Sequence, residues 1–166
     1  MALTAGVLPS VFQSRVRPYD AQTAFARAQT LAATGSVNNV NTQIDVGPGR
    51  VCGYWCLDPS NMKFSATDEF YRFFLLGSND IAFGNGNVDK IAGHDFAALA
   101  ANRLVPVICA ASPAVPLLGL SSTPHTIPYC NFMGGFIFRY LQCYVIIGGT
   151  APTVTLASWL TYDTDD

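Results

Sequence analysis

The sequence predicts an all-β fold, a jelly roll or β-sandwich in a single domain with an extended N-terminal arm. Three observations carry that expectation. Apolar and polar residues alternate with period two in several short runs. β-Branched and aromatic residues crowd those runs. Clusters of Gly, Asn, Asp, Ser and Pro separate them at short intervals.

Residues 1–20 contain Pro9 and Pro18 and show no clear period. Val7, Leu8, Val11 and Phe12 make this stretch too apolar for a free tail. We read it as an arm with those four residues as partner contacts, and residues 21–166 as the jelly-roll domain. Residues 21–34 are rich in Ala, Gln, Arg and Leu, which favour helix. Thr23, Phe25, Arg27, Gln29 and Leu31 also fall on one side of a strand, so the segment stays open between the two. Residues 35–39 form a turn cluster. Residues 41–46 read as a short strand with Ile44 and Val46 inward, ended by Gly47-Pro48-Gly49.

Residues 51–57 are an apolar, aromatic run of strand length, closed by a turn at Asp58-Pro59-Ser60-Asn61. Residues 69–76 are apolar on both alternating faces, the pattern of a strand buried on both sides. Turns follow at 77–80 and 84–87. Residues 92–102 are the best short-helix candidate, with an irregular connection as the other reading. Residues 104–111 read as a strand that Pro106 demotes to an edge or a bulge. Residues 112–128 hold four prolines and form a long loop. Leu117, Leu118 and Leu120 lie in that loop and are candidate partner contacts. Gly134-Gly135 marks a bulge or sharp bend. Residues 138–160 read as a long terminal β-hairpin around Gly148-Gly149, with Leu141, Cys143, Val145 and Ile147 on one face.

The 166 residues suffice for one domain with a proper core. Half are hydrophobic and only 12% are charged, against about 25% in an ordinary domain. Two explanations stand side by side: partners cover part of the surface, or the exposed residues are largely Ser, Thr, Asn and Gln. The net charge of −2 and the absence of a basic stripe argue against direct nucleic-acid binding. No apolar run reaches the roughly 18–20 residues of a membrane helix. The first residues lack the basic start of a signal peptide.

Chemical machinery is sparse. His94 and His125 are isolated in sequence and are read as loop or surface residues. Asn85, Asn87 and Asp89 resemble the start of a calcium loop, but Phe96 stands where a bidentate Glu belongs. The five cysteines are expected to be buried free thiols, all reduced. Cys52 and Cys56 lack a second pair to complete a zinc set. We therefore expect no enzyme activity and no cofactor.

Three stretches carry a family resemblance. They are Gln43-Ile44-Asp45-Val46-Gly47, then Phe73-Phe74-Leu75-Leu76-Gly77-Ser78-Asn79-Asp80, and most specifically Arg139-Tyr140-Leu141 with the 148–155 segment and Trp159-Leu160. Over roughly residues 21–162 the chain resembles the capsid cement, or head decoration, proteins of tailed bacteriophages. The resemblance implies a jelly roll made in the host cytoplasm that binds the capsid exterior. Its implied partners are the major capsid protein and further copies of itself, as a dimer or trimer at local symmetry axes, with no nucleic acid and no membrane. The alternative is another virion component, such as a tail, adaptor or host-binding protein that grips a glycan with Trp55 or Trp159.

Overall fold

The computed structural model describes residues 21–60, 62–64, 68–84, 88–97 and 125–162. Eleven strands occur among them: β1 (Ala24–Leu31), β2 (Gly35–Ser36), β3 (Ile44–Asp45), β4 (Cys52–Ser60), β5 (Phe70–Ser78), β6 (Val88–Ala97), β7 (His125–Cys130), β8 (Phe132–Met133), β9 (Phe136–Ile137), β10 (Tyr140–Gly148) and β11 (Val154–Tyr162). Among the described residues there is no helix, and so none long and apolar enough to cross a membrane.

Two antiparallel sheets face each other as a β-sandwich. The first has the order β1-β11-β4-β7, the second β2-β10-β5-β6, with β3 paired to the end of β10. Period-two alternation decides which side chains meet between them. Trp55 and Leu57 of β4 and Leu156 and Leu160 of β11 point inward from the first sheet. Tyr71, Phe73 and Leu75 of β5 and Leu141, Cys143 and Val145 of β10 meet them from the second. Each of these is at most 1% exposed, so the whole row is removed from water. Burying one such side chain contributes about 1.5–3 kcal/mol.

The chain crosses from one sheet to the other between β10 and β11. These two strands do not pair with each other: β10 pairs β5, β2 and β3, and β11 pairs β1 and β4. The expected terminal hairpin at 138–160 is therefore an arch between sheets. Gly149 at φ 106° and Ala151 at φ 57° make the bend. Asp68 fixes it, accepting from Thr150 N at 3.1 Å and from Thr150 Oγ1 at 3.0 Å. Below the arch, the Tyr71 hydroxyl lies 2.6 Å from Lys63 O and 2.9 Å from Thr153 O and donates to one of the two. Burial pushes this phenol up to about 12.

Four further expectations are resolved or corrected. The segment left open at 21–34 forms β1 over Ala24–Leu31, with Phe25 fully buried. The candidate helix at 92–102 overlaps β6, whose pairing with β5 runs from Val88 to Ala97. Alanines and a leucine gave the run a helical composition, but over 92–97 the long partner strand dictates the conformation. Of the turn expected at 58–61, Asp58-Pro59-Ser60 is the end of β4, with Pro59 opposite Leu156 of β11; pairing along that strand outweighs the local turn chemistry. The run at 69–76 is buried on one face only: Phe70, Phe74 and Leu76 are half-exposed on the outer face, with Arg72 exposed among them.

The cysteine expectation is also overturned. Cys52 and Cys130 stand opposite each other across β4 and β7, with Cα atoms 4.0 Å apart, and form a disulfide. They are 78 residues apart in sequence, so only the strand register brings them together. Cys56 and Cys143 are buried and take no part in this bridge, and Cys109 lies outside the described residues. Burial pushes the Cys143 thiol up to about 12. It accepts from Ser158 Oγ at 3.7 Å, and Ser158 Oγ accepts from Trp55 Nε1 at 2.9 Å.

Two outcomes test this architecture. Gly149→Ala is expected to lose at least about 1–2 kcal/mol from its backbone angle alone. The added Cβ also meets Glu69 Cα at 2.6 Å and Asp68 O at 2.7 Å. Gly134→Ala, also at positive φ but with open space around it, serves as comparison. Thermal unfolding should show a larger loss at Gly149; equal midpoints would contradict the crowded arch. Closing a 78-residue loop is worth about 4.5 kcal/mol in the chain-entropy account. Peptide mapping without reductant should recover the Cys52–Cys130 cross-link, and Cys52→Ala should lower the unfolding midpoint to the value of the reduced wild type.

Candidate interaction surface

The residues most open to a partner lie on the β8–β9 hairpin. Phe132 pairs with Ile137 and Met133 with Phe136 across a Gly134-Gly135 turn. The turn glycines have φ of 60° and 90°, the sign that a two-residue type I′ turn needs at both central positions. This is the real Gly-Gly hairpin of the chain. Pleating sends Met133 and Phe136 to one face and Phe132 and Ile137 to the other. Phe136 is 66% exposed, Met133 46%, Phe132 42% and Ile137 37%. An isolated two-stranded hairpin this short is marginal in water, so its root must hold it.

The root is built around Asn131, which is fully buried. Its Nδ2 donates to Gly49 O and to Phe138 O, both at 2.9 Å, and its Oδ1 accepts from Val51 N at 2.7 Å. Backbone bonds add Asn131 N to Val51 O and Phe138 N to Asn131 O. The disulfide at Cys130 adjoins this node. On the other side Asn79 Nδ2 donates to Ile137 O at 2.8 Å, and Asn79 Oδ1 accepts from Arg139 N at 2.9 Å. Arg139 in turn forks onto Asp45, with Nη2 to Oδ2 at 2.7 Å. That guanidinium holds the Asp45 carboxyl below the usual carboxylate range. The Arg50 guanidinium lies over the Phe132 ring, 5.3 Å from its centroid.

Beside the hairpin is an open cavity of about 350 Å³, lined by Ile91, Pro128, Tyr129, Cys130, Phe132 and Met133. Its walls are mixed, apolar side chains alternating with nearly as much polar surface. The Tyr129 hydroxyl is buried with no hydrogen-bond partner among the described residues. Burial is the main reason its phenol is pushed well above the ordinary tyrosine value.

A second feature is the outer face of the second sheet. Register places Phe74 beside Tyr144, and Leu76 beside Gln142. The rings carry cations: Lys90 Nζ is 4.3 Å from the Phe74 centroid, Arg72 sits over Phe70 at 5.4 Å, and Arg139 over Tyr140 at 5.2 Å. The face is amphipathic, apolar in area but studded with positive charge.

The sequence-derived candidates fare differently. Val7, Leu8, Val11, Phe12, Leu117, Leu118 and Leu120 lie outside the described residues, as do Asn85, Asn87 and the 104–111 run. Trp55 is fully buried and Trp159 is 6% exposed, so neither offers a ring to a surface glycan. The histidines are not loop residues. His94 on β6 and His125 on β7 face inward where the two sheets' edges meet, their ring centroids 5.2 Å apart, with Phe96 against both. Among the described residues no cluster of three or more His, Cys, Asp or Glu is placed to hold a metal ion. No family model, curated protein or solved structure matches the chain.

The histidine pair makes stability pH-dependent. Burial lowers the pKa of both, and the neighbouring charge of His125 lowers His94 further, against opposing effects of Asp95 and Asp58. A lowered folded-state pKa means that the unfolded chain binds more protons just below 6.5, so stability falls as pH drops through that window. Denaturant midpoints measured from pH 8 to 5 should fall below about pH 6.5, and His125→Gln should flatten the fall. An unchanged pH profile in the variant would place the dependence elsewhere.

Proposed function

We propose that the chain is a virion structural protein, a capsid cement or decoration protein of a tailed bacteriophage. On this reading it binds the outside of the head and stabilises the shell of major capsid protein by non-covalent contacts. One observation carries the reading. Of the seven exposed large hydrophobic side chains among the described residues, four sit on one hairpin with a rigid root. A concentration of apolar surface on a pre-shaped element is what a binding protein presents.

The strand order supports the jelly-roll part of the reading. With the short β3 and the β8–β9 hairpin set aside, eight strands divide four and four between the sheets, and the chain changes sheet at β1 to β2, β3 to β4, β4 to β5, β6 to β7, β7 to β10 and β10 to β11. Repeated crossing of this kind is how a jelly roll nests two Greek keys. The family resemblance supplies the capsid, and the low charge suits a surface shared with neighbours. A shell multiplies each contact by its copy number, so individual contacts need only be modest.

The test is the place and copy number of this chain in purified particles. The expected result is many copies on the head exterior; a few copies confined to the tail would favour the adaptor or host-binding alternative. Within the leading reading, deleting residues 2–18 is expected to leave a folded domain that occupies stripped heads at least tenfold less tightly. Undiminished binding by the truncated chain would remove the arm from the mechanism.

A further inference from the structure

We infer that the β8–β9 hairpin is a self-association element, in which Phe136 of one copy seats in the cavity beside the hairpin of a second copy. The inference does not depend on the capsid reading, because it concerns the free protein. It starts from the adjacency of a knob and a hole. Phe136 projects from the tip, and the cavity is walled by Phe132 and Met133 of the same hairpin together with Ile91, Pro128, Tyr129 and Cys130. Knob and hole thus belong to one patch. A twofold axis through such a patch brings each knob to the other copy's hole, which is the condition for a closed, self-complementary contact.

Size and charge favour this occupant. A cavity of about 350 Å³ is at the bottom of the roughly 300–1,000 Å³ range of ligand pockets. It suits a single aromatic side chain better than an extended polymer. Residues 131–138 carry no charge; Arg50 is stacked on Phe132, and Arg139 at the root is paired with Asp45. Two copies can therefore approach without like-charge repulsion. Insertion of the tip into a lipid surface would use neither the cavity nor a basic rim, which such an element normally supplies.

Area sets the strength. Aromatic side chains bury about 150–250 Å² each, so four side chains exposed to this degree offer about 300–400 Å² per copy. Stable complexes bury about 800 Å² per partner. The contact is weak alone and concentration-dependent.

Sedimentation equilibrium of the full chain should show the average mass rising from the 17.8 kDa monomer toward twice that value as concentration reaches the high micromolar range. Phe136→Asp should abolish the rise, and Phe136→Trp should keep it. Phe136 is exposed, and unchanged thermal midpoints would confirm that both variants fold. A photo-cross-linking phenylalanine analogue at position 136, in a mixture of isotopically light and heavy protein, should join a light copy to the 88–97 or 125–133 segment of a heavy one. Three results overturn the proposal: a monomer at every concentration, association indifferent to Phe136→Asp, or cross-links only within one copy. Pelleting of the monomer with phosphatidylcholine–phosphatidylglycerol vesicles, lost in Phe136→Asp, would also overturn it by assigning the tip to a membrane. If dimers fail while heads are still decorated, this inference falls and the capsid reading stands.

Discussion

Everything in this molecule depends on the inward row shared by β10 and β11, two successive strands that lie in opposite sheets. Leu141, Cys143 and Val145 on one, and Leu156, Ser158 and Leu160 on the other, face each other across the core. Pairing β10 with β11 would have put both runs in one sheet and left nothing to cover them. The arch at 148–152 prevents this by turning the chain over the edge. One polar chain runs through the contact: Trp55 donates to Ser158, which donates to Cys143 in the facing sheet. A buried hydroxyl is costly unless satisfied, so this chain favours the one relative placement of the sheets that satisfies it.

The same logic governs the surface. A hairpin with four exposed apolar side chains is unfavourable in water and gains nothing from the core. It persists because its backbone is held at the root by Asn131, Asn79 and the Cys52–Cys130 bridge. Rigidity there lowers the ordering cost of any contact the tip makes, since little conformational freedom is left to lose.

How much of this was legible in the sequence varied with the range of the forces involved. The all-β class followed from local alternation, and the inward face of β10 was read residue by residue because period two is a local property. Register was not legible, and most errors trace to it. Cys52 and Cys130 meet through a pairing 78 residues long in sequence, while attention to spacing pointed at Cys52 and Cys56. His94 and His125 looked isolated for the same reason. The two Gly-Gly pairs were read the wrong way round. Gly148-Gly149 looked like the hairpin because long alternating runs flank it, and Gly134-Gly135 looked like a bulge because its strands are only two residues each. What distinguishes them is whether the flanking strands find better partners elsewhere: β10 has β5 and β11 has β4, while among the described residues β8 has only β9. The signal available for the hairpin was Phe-Met-Gly-Gly-Phe-Ile itself, apolar on both sides of a turn dipeptide.

The low charge of the chain can now be located. The described ion pairs are few and exposed, Arg72 with Asp95 and Arg139 with Asp45, and such pairs contribute about 0–1 kcal/mol. The same two arginines also lie over aromatic rings, as do Arg50 and Lys90, with Lys90 over Phe74 the shortest of these contacts. That arrangement keeps the outer face of the second sheet wettable while leaving its rings accessible from above. The cation-capped rings of one sheet and the apolar hairpin are thus two chemically distinct surfaces on one sandwich. On the proposed capsid reading, two such surfaces would engage two different neighbours at once. Because the sandwich fixes their relative position, binding at one holds the other near its own target. Contacts that are individually weak then reinforce each other without any change of shape.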